Sequence, residues 1–249
     1  MKKSFMLLAA ALSIFLFSSC LTTGSAEKKS SASAVSQTPS NYKRENIDTS
    51  VWNLRKLDTA RNVSYLSELE KDIILETNMA RSNPKKYCEM YIEPRKKNFD
   101  KKIYHDGTRN IKTNEGVSVV KETVRFLKKQ KPVQILTPSF GLTQSARDHA
   151  ISQSKTKQTG HNGTDGSTPF KRIKRYGSYK TAGENITYGV NSAREIVANL
   201  IIDDGVKDRG HRKNIFLKDF DCSGLCYVGE HKIYGSECVI NYAGNYKEK

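Results

Sequence analysis

The chain has 249 residues, with 42 Lys and Arg against 26 Asp and Glu, a formal net charge of +16 and 37% hydrophobic residues. Its folded portion, about 200 residues, is enough for one domain with a sizeable core. The basic balance draws anionic partners, but the chain has no aromatic-interleaved nucleic-acid motif, no internal repeat and no second apolar span.

The N-terminus reads as a targeting segment. Lys2 and Lys3 precede an apolar run from Phe5 to Phe17 that only Ser13 interrupts. The run is too short to span a bilayer and suits the apolar core of a signal peptide, residues 1–19. It ends in Leu16-Phe17-Ser18-Ser19-Cys20, which resembles a bacterial lipobox with Cys20 as the acylated residue. Cleavage after Gly24-Ser25-Ala26 is the alternative, and gives a secreted rather than an anchored protein. Both predict export. Residues 20–45 are rich in Ser, Thr, Lys and Ala and read as a flexible tether. Leu21 carries no acidic retention signal, which favours the outer membrane in a diderm cell.

The domain itself, residues 46–249, begins with an amphipathic helix over Ser67–Ala80, ended at Asn83-Pro84, with a further turn or two over Tyr87–Ile92. Residues 95–113 are charged and predicted to be loop. Helices follow at Glu115–Lys128, Phe140–Ser152 and Ala193–Ile202. Strands are expected around Ile186, at Ser223–Tyr227 and at Cys238–Tyr242. Basic residues cluster at Arg95-Lys96-Lys97 with Lys101-Lys102, at Lys128-Lys129 with Lys131, and at Lys171-Arg172 with Lys174-Arg175. Segregated helices and late hairpin strands define an α+β fold. A three-layer α-β-α sandwich around a small, mainly antiparallel sheet would bury both faces of that sheet.

Apart from Cys20, the cysteines are Cys88, Cys222, Cys226 and Cys238. An even number in an exported chain points to disulfides, with three connectivities. On a C-terminal hairpin Cys226 and Cys238 can face each other, leaving Cys88 and Cys222 paired or free. The Cys-x3-Cys spacing lacks the partner pair of a thiolate zinc site.

Four short runs carry the chemistry: Gly160-His161-Asn162-Gly163, Gly183-Glu184-Asn185-Ile186, Asp203-Asp204-Gly205 and Gly210-His211-Arg212-Lys213-Asn214-Ile215. Imidazoles and carboxylates bind divalent cations or move protons near neutral pH. Arg172 and Tyr176 are expected to brace the same wall, and Asn185 to hydrogen-bond backbone beside it. His149, on a helix face with Ala146 and Ala150, reads as packed. His105 and His231 sit in loops with no evident partner.

These motifs resemble the CAP superfamily, the cysteine-rich secretory, antigen 5 and pathogenesis-related-1 proteins, and within it the bacterial SCP-like extracellular branch. The resemblance covers about residues 66–246. The helix ending Asn78-Met79-Ala80-Arg81-Ser82-Asn83-Pro84 is similar to the family's opening helix, and Leu142–His149 resembles its L-x-x-x-A helix. Gly183-Glu184-Asn185 and Gly210-His211-Arg212-Lys213-Asn214-Ile215 are its most specific signatures. The resemblance implies an α-β-α sandwich with a central cavity whose metal-binding set is His161, Glu184, Asp204 and His211. Asp204 stands where the family usually has Glu, and Asp203 is its rival for that place.

Two imidazoles with carboxylates suit zinc among divalent cations. The expected function is a lipid-anchored, non-enzymatic binding protein, with no catalytic residues assigned. Its membrane partner is reached through the anchor, and its basic face suits anionic lipid or glycan but not nucleic acid. A metal-dependent hydrolase is the second reading. Ser167 and Thr164 lie near His161 in sequence, but no exposed nucleophile turn surrounds them. A purely structural or adhesive surface protein is the third.

Overall fold

The computed structural model describes residue 39 and residues 41–249. The signal segment, Cys20 and most of the tether therefore lie outside the described residues. The end of the tether region is fixed by side chains: Tyr42 Oη donates to Asp72 Oδ2 at 2.6 Å, and Arg44 pairs with Asp58 and Asp72.

In chain order the helices are α1 (Leu54–Leu57), α2 (Glu68–Ser82), α3 (Pro84–Tyr87), α4 (Val117–Lys129), α5 (Phe140–Ser154), α6 (Pro169–Tyr176), α7 (Ala193–Ile202) and α8 (Gly210–Phe216). The strands are β1 (Phe99–Asp100), β2 (Ile103–His105), β3 (Asn110–Lys112), β4 (Thr137–Pro138), β5 (Gly177–Ser178), β6 (Thr181–Tyr188), β7 (Cys222–Val228), β8 (Glu237–Gly244) and β9 (Lys247–Glu248). An irregular helical run, residues 88–98, joins α3 to β1.

The central sheet runs β4-β7-β8-β6, parallel between β4 and β7 and antiparallel elsewhere. Side chains alternate between its faces. Leu225, Tyr227, Cys238, Ile240 and Tyr242 enter the large core with Ile73, Ile196, Val197 and Ile201 of α2 and α7. Cys226, Val239 and Ile186 face the other way, against Ala146 and Ala150 of α5. The expected three-layer α-β-α sandwich is therefore present. Helix α5 lies so close to β7 that a Cβ on Gly224 would sit 2.2 Å from Thr143 N. Only glycine allows that approach.

Helix ends follow local chemistry. Ser67 and Glu70 form a reciprocal capping box that starts α2, and Asn83 terminates it. Ser139, Thr168 and Ser192 cap α5, α6 and α7 with their hydroxyls. Arg81, buried at the end of α2, donates to the carbonyls of Gln134, Ile215, Leu217 and Phe220. It ties the opening helix to the segments that enter the sheet. Burial with no carboxylate beside it lowers its pKa to about 10.

Two expectations are corrected. Residues 95–113 are not plain loop, because β1, β2 and β3 form a separate antiparallel three-stranded sheet. Strands of two or three residues are too short to show alternation in the sequence. The Cys226–Cys238 disulfide does not form, and Cys88, Cys222, Cys226 and Cys238 are all free and buried. Cys226 lies opposite Val239 and Cys238 opposite Tyr227. That offset of one residue sends the two sulfurs to opposite faces of the sheet.

Candidate functional site: two histidines at the edge of the sheet

Strand β6 is an edge of the central sheet, and the two helical layers meet over it. Glu184 projects to the α5 side and Asn185 to the α8 side, because neighbouring strand residues point to opposite faces. The site forms where these faces meet.

His161 follows α5 on a loop. Gly160, at φ +91°, makes a turn that L side chains rarely adopt. Its N–H donates to Tyr188 Oη at 2.8 Å, and its carbonyl accepts from Gln153 Nε2 and bonds His149 Nε2. The residue before His161 is thus fixed on both sides. The His161 ring places Nδ1 2.9 Å from Glu184 Oε1. Both Glu184 oxygens accept from Arg172 Nη2 on α6, at 3.1 and 2.8 Å. Asn241, with its amide turned so that both ends are satisfied, donates to Glu184 Oε2 at 3.1 Å. Arg172 also donates to the carbonyls of Ser167 and His161. The Arg172 and Glu184 side chains are each 1% exposed, so this is a buried ion pair with most of its hydrogen-bonding capacity used.

His211 arrives differently. It lies in the first turn of α8, whose N-cap, Arg209, gives no side-chain bond to the helix. Asp203 does that work from a distance. It ends α7 in the left-handed region, φ 60°, ψ 45°. Its Oδ2 accepts from the N–H groups of His211 (2.9 Å) and Arg212 (3.3 Å), and its Oδ1 lies 2.7 Å from His211 Nδ1. A carboxylate at a helix N-terminus is favoured by both the free N–H groups and the helix dipole. Arg212 runs back under α7 and pairs with both oxygens of Glu122.

Asn185 and Asn214 join the two halves. Asn185 Nδ2 donates to the His211 carbonyl at 3.0 Å. Asn214 Nδ2 donates to Asn185 Oδ1 at 2.9 Å and to the Glu184 carbonyl at 3.2 Å. The imidazole centroids stand 6.4 Å apart.

A family model described as the cysteine-rich secretory protein family, CAP, matches residues 50–242. The chain belongs to the CAP family. It is 26% identical over 263 residues to the uncharacterized protein YkwD of Bacillus subtilis (strain 168), an alignment covering 96% of this chain and 99% of that one. Among solved structures, an extracellular protein containing a SCP domain from Bacillus anthracis str. Ames aligns at 16% identity and a TM-score of 0.37, over 52% of this chain and 38% of that chain. An outer surface protein of Borrelia burgdorferi aligns at 16% identity and a TM-score of 0.38, over 51% and 86%.

Of the four residues the CAP resemblance singles out, His161, Glu184 and His211 come together and Asp204 does not. Asp204 turns to the start of α4, where it accepts from the N–H groups of Asn114 and Glu115. Asp203 takes its place. The helix ends at Ile202 as the sequence predicts, and the left-handed turn at Asp203 points its carboxylate back to α8. Arg172 bonds Glu184 and the His161 carbonyl, Asn185 bonds the His211 carbonyl, and Tyr176 bonds Asp148 away from the histidines.

The hydrogen-bonding pattern limits what the CAP site can hold. Glu184 and Asp203 spend their oxygens on Arg172, on backbone N–H groups and on the two Nδ1 atoms. Among the described residues no group of three or more His, Cys, Asp or Glu is arranged as a metal cluster, and no hydrogen bond engages either Nε2. Two imidazoles, each oriented by a carboxylate, match the way proteins prepare metal-binding histidines. With zinc–nitrogen bonds of about 2.0–2.1 Å, two rings on one ion have centroids about 5–6.4 Å apart. The observed 6.4 Å is the in-line limit; a tetrahedral ion, with centroids about 5 Å apart, would need the half-exposed His161 ring to turn inward. With that movement two imidazoles and solvent would surround a cation, and the set as it stands does not form a closed four-ligand structural site.

The remaining candidates are accounted for elsewhere. Thr164 hydrogen-bonds Ser152, and the buried Ser167 lies against Arg172, so neither hydroxyl meets a histidine. His149 is buried and its pKa is lowered, chiefly by desolvation. His105 Nδ1 meets Asn110, and His231 stacks on Tyr234 and meets Tyr188 at a tilt. The sequence reading missed Glu237, which is fully buried on β8 with both oxygens unpartnered. Desolvation, reinforced by Glu184, pushes its pKa up to about 8. A charged residue in the strand Glu237–Gly244, otherwise free of charge, was the available signal.

Proposed function

We propose that this chain is an exported CAP-domain binding protein that holds a divalent cation, zinc foremost, between His161 and His211, and that turns over no substrate. The observation that carries the reading is the paired arrangement of the rings: each Nδ1 is engaged by a buried carboxylate and each Nε2 is left for a ligand. A cation bound there would offer a Lewis-acidic face to an anionic oxygen of a ligand. Glu184 and Asp203 fix ring orientation and tautomer, Arg172 pairs with Glu184 in a buried place, and Asn185 with Asn214 sets the distance between the halves. The signal segment, residues 1–19, and acylation at Cys20 place the domain at the cell envelope on a tether. Its basic face then meets anionic lipid or glycan.

The test is elemental analysis and calorimetric zinc titration of the purified protein beside the His161→Ala/His211→Ala double variant. Stoichiometric zinc in the wild type and none in a folded double variant is the expected result. Equal binding by both, or binding by neither, contradicts it.

A further inference from the structure

The connection from β7 to β8, residues 229–236, carries two adjacent exposed apolar side chains, Ile233 and Tyr234. Single apolar side chains are common on a protein surface, but an adjacent pair beside a concavity marks a contact site. Lys155, which follows α5, lines an open groove there with Glu230, His231 and Lys232. Its volume is about 660 Å³, within the roughly 300–1,000 Å³ of small-ligand sites. None of His161, Glu184, Asp203 and His211 lines it.

The aromatic edge of this groove is held rigidly. His231 is buried, its Nδ1 accepts from the N–H groups of Ile233 and Tyr234, both at 3.3 Å, and its Nε2 lies 3.3 Å from the Gln158 carbonyl. The Tyr234 ring stacks on the His231 ring, with centroids 5.5 Å apart, and leans on Tyr188 at 5.2 Å. One face of Tyr234 is therefore covered, while half of the residue remains open to solvent. A ring fixed in this way meets a ligand with little further loss of rotamer freedom.

Three exposed charges line the groove: Lys155, Lys232 and Glu230. None has an ion-pair partner among the described residues. The face of a tyrosine ring carries negative charge density and attracts the electron-poor C–H bonds of a sugar ring. Ammonium groups bind carboxylates through charge-assisted hydrogen bonds, and an ionised carboxylate accepts from hydroxyls. Glu230 disfavours the uniformly anionic surface of a bilayer and favours a ligand that offers hydroxyls as well as negative charge.

We propose that this groove binds a sugar ring bearing a carboxylate, the repeating unit of a uronate glycan. Tyr234 takes the C–H face of the ring, Lys155 and Lys232 take its carboxylate, and Glu230 accepts from its hydroxyls. The proposal rests on the anionic-glycan part of the reading above and needs no cation at the histidines.

The probes are a galacturonate trisaccharide and the neutral galactose trisaccharide, titrated by calorimetry into the purified protein with chelator present. The uronate should bind several-fold tighter, and added salt should erase the difference. Tyr234→Ala should weaken both sugars about tenfold, and Tyr234→Phe neither. Lys155→Ala/Lys232→Ala should remove the preference, each lysine contributing up to about fivefold, and leave the neutral sugar unaffected. No saturable binding of the uronate by the wild type, unchanged binding by a folded Tyr234→Ala protein, or a preference that survives loss of both lysines would overturn the proposal. So would binding to vesicles of anionic phospholipid that Tyr234→Ala abolishes, with neither trisaccharide bound. Zinc titration of the same protein without chelator separates failure of this site from failure of the cation reading.

Discussion

The two halves of the histidine site reach the same end by different physics. His161 is oriented by Glu184, which depends on a buried partner charge from another helix: Arg172 must be present for the carboxylate to be tolerated there. His211 is oriented by Asp203, which depends on backbone: a left-handed turn and the free N–H groups opening α8 hold the carboxylate. The His161 side chain is 49% exposed and that of His211 23%. One half is thus an ion pair with a half-exposed ring, and the other a helix cap with a more buried ring. The comparison shows that a carboxylate–imidazole pair is portable, and that its vulnerability depends on what stands behind the carboxylate.

The largest expected effect comes from removing the charge behind the first half. Arg172→Met should destabilise the fold by about 3–5 kcal/mol, because it strands a buried carboxylate; thermal unfolding measures it. Arg172→Met/Glu184→Gln should recover most of that loss. If the double variant is no more stable than the single, the ion-pair account of this half fails.

Glu237 sharpens the contrast, because it feels Glu184 and lies on the same side of the sheet. Its folded pKa, about 8, is above the ordinary value of 4.5. The folded state therefore binds the proton more tightly than the unfolded state, and stability falls as pH rises from about 4.5 through 8. Glu237→Gln should leave stability at pH 4 little changed and raise it at pH 9 by on the order of 5 kcal/mol. A Tm difference that does not grow with pH would contradict this.

Smaller effects are expected at the backbone-held half. Asp203→Ala removes a cap and should cost about 1–2 kcal/mol, together with zinc affinity. Asp204→Ala should cost about 1 kcal/mol or less by loosening the start of α4, and leave zinc affinity unchanged. Equal loss of zinc binding in both variants would reinstate Asp204 as a site residue.

Much of this was legible in the sequence. The glycine-flanked histidines and Gly183-Glu184-Asn185 marked the site, and the capped amphipathic helices marked the layers. The choice between Asp203 and Asp204 was not legible. It turns on one left-handed residue at a helix end, and Asp tolerates that conformation without advertising it. The Cys226–Cys238 pairing failed for a similar reason: one residue of hairpin register, set by the connecting loop, decides which face each sulfur takes. Helix α6 was hidden because it is short and basic, and its buried residues, Pro169, Arg172 and Ile173, make no apolar period.

The central claim is that the carboxylates orient the histidines and the histidines hold the cation. X-ray absorption at the zinc edge of the zinc-loaded protein tests it most directly. The account predicts a first shell of two imidazoles completed by solvent oxygen, and a shell unchanged when Glu184 is replaced by Gln in a folded protein. A shell containing a single imidazole, or a protein carboxylate that Glu184→Gln or Asp203→Asn removes, would contradict it.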